Sequence, residues 1–383
     1  MLPDLPNELW LIIAEHLQFP KYMNPLIRTN RHFYTLLNPY LYHCGIRRYG
    51  SWVSDWAAEN GRVETVQKSL AARACTQPAF TLQRPLLIAA RNGYGDILKL
   101  LLTADDPNLQ DSDLCQALSW AAQNGHVAVI KLLLAADGID PNSQDCDGWT
   151  ALSWAARRGH MEVTTVLLAT DGINPNTQDS DGWTVLSWAA QDGDEAIVRL
   201  LLATVGIELD CPDFFGWTPL SHAVRKGHDR IVRLLLAADG ISPNTQDASG
   251  RTALSWAAQN GDEAIVRQLL ATDGIELDSP DSAGWTPLFH AIREGHDAVV
   301  GLLLATNGVD HDFKARGQQT PLMVAAFYGA EKTVKRLLDN GANPNSLYSN
   351  QGTPLTYARR NGHHGVVKIL LSALGIKPDF PDI

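Results

Sequence analysis

The sequence predicts an all-α solenoid of helix–turn–helix units joined by long polar loops or hairpins, behind a small helical head. Three glycine series predict it. One runs Gly148, Gly182, Gly216, Gly250, Gly284; a second runs Gly125, Gly159, Gly193, Gly227, Gly261, Gly295, Gly329; a third runs Gly138, Gly172, Gly206, Gly240, Gly274, Gly308. All share a 34-residue period, the mark of stacked supersecondary units. Chain length agrees. At 383 residues the chain exceeds the ~250–300 residues of one compact core, whereas stacked units need contact only their neighbours.

One unit shows how each element arises. Thr150 can cap a helix by accepting from an unpaired first-turn N–H. Sister units place proline next, in Thr218-Pro219, Thr286-Pro287, Thr320-Pro321 and Thr353-Pro354. Proline is harmless at that position, where the N–H has no helical partner. Leu152, Ala155 and Ala156 form an apolar stripe, and Gly159 supplies the left-handed stop. A second helix follows, its apolar face set by Val163, Val166, Leu167 and Leu168, and Gly172 closes it. Residues 173–181 are turn formers that deliver the chain to the next cap.

Helix, tight turn, helix and long polar loop, with the Thr-Pro-Leu start, resemble the ankyrin repeat over roughly residues 84–380. The tetratricopeptide repeat shares the period but lacks the polar loop and the Thr-Pro cap. Nine units are countable over residues 84–383, with Thr-equivalents at Arg84, Gln116, Thr150, Thr184, Thr218, Thr252, Thr286, Thr320 and Thr353. Residues 51–83 read as a degenerate capping unit, because Trp56-Ala57-Ala58 echoes Trp120-Ala121-Ala122. A larger duplication overlies the repeat. Residues 192–229 and 260–297 agree at 29 of 38 positions, so a two-repeat block was copied.

The period does not reach residues 1–50. There Leu9, Ile12, Ile13 and Leu17 form one apolar stripe behind a helix start at Asp4 and Pro6. Leu5, Pro6, Glu8, Leu9, Ile13, Leu17, Arg31 and Phe33 together resemble an F-box, although Ile27-Arg28-Thr29-Asn30 stands where that family has Val-Cys or Val-Ser. In the family this module docks onto the linker subunit of a cullin-type ubiquitin ligase, which would make Leu5, Pro6, Leu9, Ile13 and Leu17 the docking residues. Head and repeats in this order resemble fungal-type F-box/ankyrin proteins of eukaryotes. The competing reading is a helical cap that covers the apolar end of the stack, as solenoids require.

Candidate binding residues fall into two groups. Trp149, Trp183, Trp217 and Trp285 precede the helix caps, a position on the concave binding face in ankyrin proteins. They read either as an aromatic ladder for a partner or as cover for the loops. Trp120, Trp154, Trp188 and Trp256 lie within first helices and read as packing between units. Before the turn glycines stand Arg157-Arg158, Arg225-Lys226, Arg293-Glu294 and Phe327-Tyr328. These cations read either as a basic groove for an acidic partner or as helix ends complementing the dipole. His126, His160, His228, His296 and His363 follow the turn glycines and are expected to bond local backbone. His222 and His290 are likewise expected to be structural.

Composition narrows the function. A net charge of −11 disfavours nucleic acid and anionic membrane as partners. Five cysteines without a Cys-x-x-Cys pair suggest free thiols in a reducing compartment, cytoplasmic or nuclear. No leader peptide or membrane span is expected. Phosphate-binding loops, nucleophile elbows and His-Glu-x-x-His motifs do not occur. The expectation is a monomeric, non-enzymatic protein-binding scaffold without cofactor or metal, serving as a substrate-recognition adapter of a ubiquitin ligase or as a scaffold with no ligase role.

Overall fold

The computed structural model describes residues 52–73, 81–104, 106–348 and 352–374. The F-box-like positions Leu5, Pro6, Leu9, Ile13 and Leu17 lie outside the described residues. Regular structure among the described residues is helical, with no strand. The chain divides into two compact units, residues 1–174 and 175–383.

In the first unit the helices pair as α1 (Trp52–Glu59) with α2 (Val63–Arg73), α3 (Gln83–Asn92) with α4 (Gly95–Leu102), α5 (Asp111–Gln123) with α6 (Val127–Leu134), and α7 (Ala151–Arg157) with α8 (Met161–Leu168). The odd-numbered helices pack on one another as an inner row, and the even-numbered helices form an outer row. The second unit repeats this plan. Its inner helices are α9 (Val185–Asp192), α11 (Pro219–Lys226), α13 (Ala253–Asn260), α15 (Pro287–Glu294), α17 (Pro321–Tyr328) and α19 (Pro354–Arg360). Its outer helices are α10 (Glu195–Leu202), α12 (Asp229–Leu236), α14 (Glu263–Leu270), α16 (Asp297–Leu304), α18 (Glu331–Asp339) and α20 (His364–Ala373).

The caps form as the sequence suggests. Thr150, Thr184, Thr218 and Thr252 each accept from the backbone N–H three residues on, at 3.1–3.3 Å. Thr286 does not; Phe289 stands where its sisters have serine and packs fully buried. The alanines of each inner helix are fully or almost fully buried, which lets neighbouring inner helices approach closely. The turn histidines do more than bond locally. Nε2 of His126, His160, His228, His296 and His363 lies 2.9–3.1 Å from a carbonyl oxygen of the preceding repeat. In two repeats Asp194 and Asp262 replace the histidine and cap the following helix.

The loops are organised by an aspartate that sequence reading treated only as a turn former. Asp145, Asp179, Asp213, Asp247 and Asp281 recur at the repeat period. The Oδ1 atom of each accepts two backbone N–H groups of its own turn. Oδ2 reaches into the next inner helix and accepts Nε1 of Trp154, Trp188 and Trp256, or faces Nε2 of His222 and His290. One carboxylate therefore fixes turn and helix together.

The Gln116 repeat departs from this turn. Asp111 stands one period before Asp145, but Leu114 and Cys115 replace Gly148 and Trp149. Gly148 holds φ at 78°, which a leucine side chain disfavours. The backbone stays right-handed instead, and α5 starts at Asp111 rather than near the cap position Gln116. Asp113 completes a capping box with Gln110.

Asp247 is the most heavily bonded of these aspartates, since Trp217 also donates Nε1 to its Oδ2 at 3.0 Å. Asp247→Ala strips acceptors from two indoles and a tight turn, and about 3 kcal/mol of unfolding free energy should be lost. Asp239→Ala, at an exposed aspartate, should stay within about 0.5 kcal/mol. Urea denaturation of the three proteins measures both, and equal midpoints for all three would refute the anchoring role.

Candidate functional site

Each pre-helix tryptophan joins a local cluster. Trp149 is buried and lies 4.6 Å from Trp154, ring to ring. Trp183 is half-buried, stacked 4.2 Å from Trp188, with His222 on it at 3.9 Å. Trp217 meets Trp256 of the next repeat edge-on at 6.0 Å. Trp285 stacks on Phe289 at 6.0 Å. The indole N–H groups of Trp154, Trp188 and Trp256 are committed to aspartates, so those rings serve packing.

The arginines among the cations before the turn glycines are set on tryptophan rings. The guanidinium carbon of Arg157 lies 5.0 Å from the Trp149 ring centre, and that of Arg158 lies 5.9 Å from Trp154. Arg225 lies 3.4 Å from Trp217, and Arg293 lies 5.2 Å from Trp285. Arg157, Arg158 and Lys226 are exposed; Arg225 and Arg293 are half-buried. Arg251 stands over Trp256 at 4.6 Å but is also held by Gln259 and Asp281. The surface is thus a composite of arginine on tryptophan, two residue types enriched at binding hot spots. Further along the second unit, Phe327 and Tyr328 are 43% and 49% exposed and edge-on to each other.

The first unit carries a groove of opposite character. Where α5 replaces the turn, a groove of about 890 Å³ opens between α5 and residues 138–146. Asp111, Asp113, Asp140 and Asp145 line it, with Trp120 and Trp154, and neither lysine nor arginine does. The cations before the turn glycines lie apart from this acidic groove.

Sequence reading passed over one exposed feature. Phe214 and Phe215, at a loop tip, are 74% and 60% exposed. Their signal was present in the duplication, where Ser282 and Ala283 occupy the matching positions. Among the described residues no group of three or more His, Cys, Asp or Glu could hold a metal ion, and no helix is long and apolar enough to cross a membrane.

The buried histidines give the second unit a pH response. Burial is the main cause that lowers the His222 pKa to about 4; Asp213 opposes the shift, and the nearby charges of Arg225 and Lys226 add to it. His290 is lowered too, by burial first and then by Arg251. A histidine kept neutral on folding takes up its proton only when unfolded, between the unfolded value of about 6.5 and the folded one. Stability contributed by neutral His222 is complete above about pH 6.5 and declines as pH falls toward 4. Thermal unfolding followed from pH 7.5 to 5 should show a smaller fall in midpoint for H222Q/H290Q than for the native chain. Equal slopes would remove the histidines from the response.

A family model described as ankyrin repeats in three copies matches residues 54–145, 86–179, 118–213, 171–247, 238–315 and 302–382. The crystal structure of EF0377, an ankyrin repeat protein, is similar at 28% identity, with a TM-score of 0.46, covering 48% of this chain and 95% of that one. Among curated proteins, none matches the chain. Because the family matches run from residue 54 to residue 382, the chain belongs to the ankyrin-repeat family.

Proposed function

We propose that the chain is a substrate-recognition adapter of a cullin-type ubiquitin ligase. Ankyrin repeats form a protein–protein interaction scaffold, and this chain has the fold and an arginine-on-tryptophan surface suited to that role. Trp149, Trp183, Trp217, Trp285, Arg157, Arg158, Arg225, Lys226, Arg293, Phe327 and Tyr328 are the residues assigned to target binding. The observation that carries the finer reading is the string Leu5-Pro6-Asn7-Glu8-Leu9, with Ile13 and Leu17 behind it, ahead of the repeats. Its apolar stripe supplies the contact to the ligase linker subunit, and the repeats hold the target, in the cytoplasm or nucleus.

Co-precipitation of the full chain with the linker subunit tests this. The native chain should capture the subunit, and L9D/I13D should lose it while its unfolding midpoint stays within about 2 °C. Absence of capture by the native chain sinks the adapter reading. A large drop in midpoint for L9D/I13D without linker capture supports the cap.

A further inference from the structure

The duplicated block supplies an internal comparison, since residues 192–229 and 260–297 both lie in the second unit and agree at 29 of 38 positions. Three of the differences bear on one surface: Phe214 against Ser282, Phe215 against Ala283, and Lys226 against Glu294.

In the first copy, Arg225 sits in a corner between two indoles. Its guanidinium carbon is 3.4 Å from the Trp217 ring centre and 5.1 Å from that of Trp256, and the two rings stand at 77°. Among the described residues its N–H groups form neither a hydrogen bond nor an ion pair. The two carboxylates that act on it at longer range are already engaged. Asp213 holds its turn and His222, and Asp247 holds its turn and two indoles. Partial burial disfavours the charged form of Arg225, so an incoming anion is favoured. The fork is oriented in advance by packing, which lowers the entropic cost of using it.

In the second copy, Arg293 lies over the single ring of Trp285 at 5.2 Å and is engaged by its neighbour. Glu294 accepts its Nε and Nη2 at 2.8 and 2.6 Å. Lys226 stands at that place in the first copy, adding positive charge where the second copy neutralises its own. The aromatic tip follows the same division. Phe214 N donates to Asp181 O at 3.1 Å, and Phe215 O accepts from Ala248 N at 2.8 Å, so both flanks of the tip are tied. Phe215 lies 5.9 Å from Trp217, which joins the tip to the arginine corner. The second copy presents Ser282 and Ala283 instead.

We infer that the first copy is a seat for an acidic peptide segment of a partner protein, and that the second copy is closed by its own glutamate. A carboxylate of the partner pairs with the Arg225 fork beside Lys226, and an adjacent apolar side chain packs on Phe214 and Phe215. Charge complementarity selects the peptide: this corner is cationic and apolar, while the chain as a whole, at −11, repels extended polyanions. The inference rests on the repeats being a protein-binding surface and is independent of the ligase head.

Panning the full-length chain against displayed random dodecapeptides tests it. Recovered peptides should be enriched in Asp or Glu next to Leu, Ile, Phe or Trp. Synthetic copies should bind about tenfold or more weakly to R225A and to K226E, the loss of charge-assisted contacts, and change less than about twofold on R267A, an exposed arginine of the outer helix α14. E294K, which frees Arg293, should restore only part of the binding lost in R225A, because Ser282 and Ala283 supply no aromatic tip. Lys226 is exposed, so K226E carries the test if R225A unfolds. Recovery of no peptides, absence of acidic enrichment, equal effects of R225A and R267A, or displacement by an equimolar single-stranded oligothymidylate would each overturn the assignment. Linker capture is untouched by all of these variants, so failure here and failure of the adapter reading are distinguishable.

Discussion

A loop carboxylate bonded through both oxygens organises the repeats that carry it. Four of the five loop aspartates are buried, and each gains acceptor contacts from a turn and from an inner helix at once. A buried charge left without such partners is costly, so the turn must close around it. The same carboxylate dictates what may stand nine residues on: a side chain with a ring N–H. Tryptophan and histidine both meet that demand, which is why Trp154, Trp188, His222, Trp256 and His290 occupy one structural site despite their different chemistry. Loop, cap and inner helix are locked by one group rather than by separate contacts.

Legibility in the sequence followed how local each signal was. The caps at Thr150, Thr184, Thr218 and Thr252 and the turn glycines were readable because their physics spans only a few residues. The aspartates were visible as a period, but a turn-forming Asp and a helix-anchoring Asp look alike until the chain is folded. The turn histidines were placed correctly and given too short a reach. Their carbonyl partners lie 35–37 residues away, a separation that no single-unit reading exposes. The early start of α5 was hidden for a related reason: Gln116 aligned with the threonine caps, and the absent glycine mattered more than the cap.

The inner surface divides its labour by atom type. Ring faces carry arginines, ring nitrogens are spent on aspartates, and the residues that differ between repeats decide whether a guanidinium is spent too. Arg251 and Arg293 are held by side chains of their own unit, whereas Arg225 is held only by rings. A count of basic residues in the sequence treats these three as equal. Their hydrogen-bond environments do not.

The exchange of Gly148 and Trp149 for Leu114 and Cys115 at the equivalent turn shows how such an array acquires new surfaces. No core residue of the repeat has to change, because the apolar faces of α5 and α6 remain buried as in their sisters. The edit lies wholly in the connecting segment, yet it turns a loop into helix and opens an acidic recess beside it. Recognition in this architecture can therefore drift one turn at a time, with the stacked framework buffering each step. Copying a block and then altering its turns is a low-risk route to new specificity.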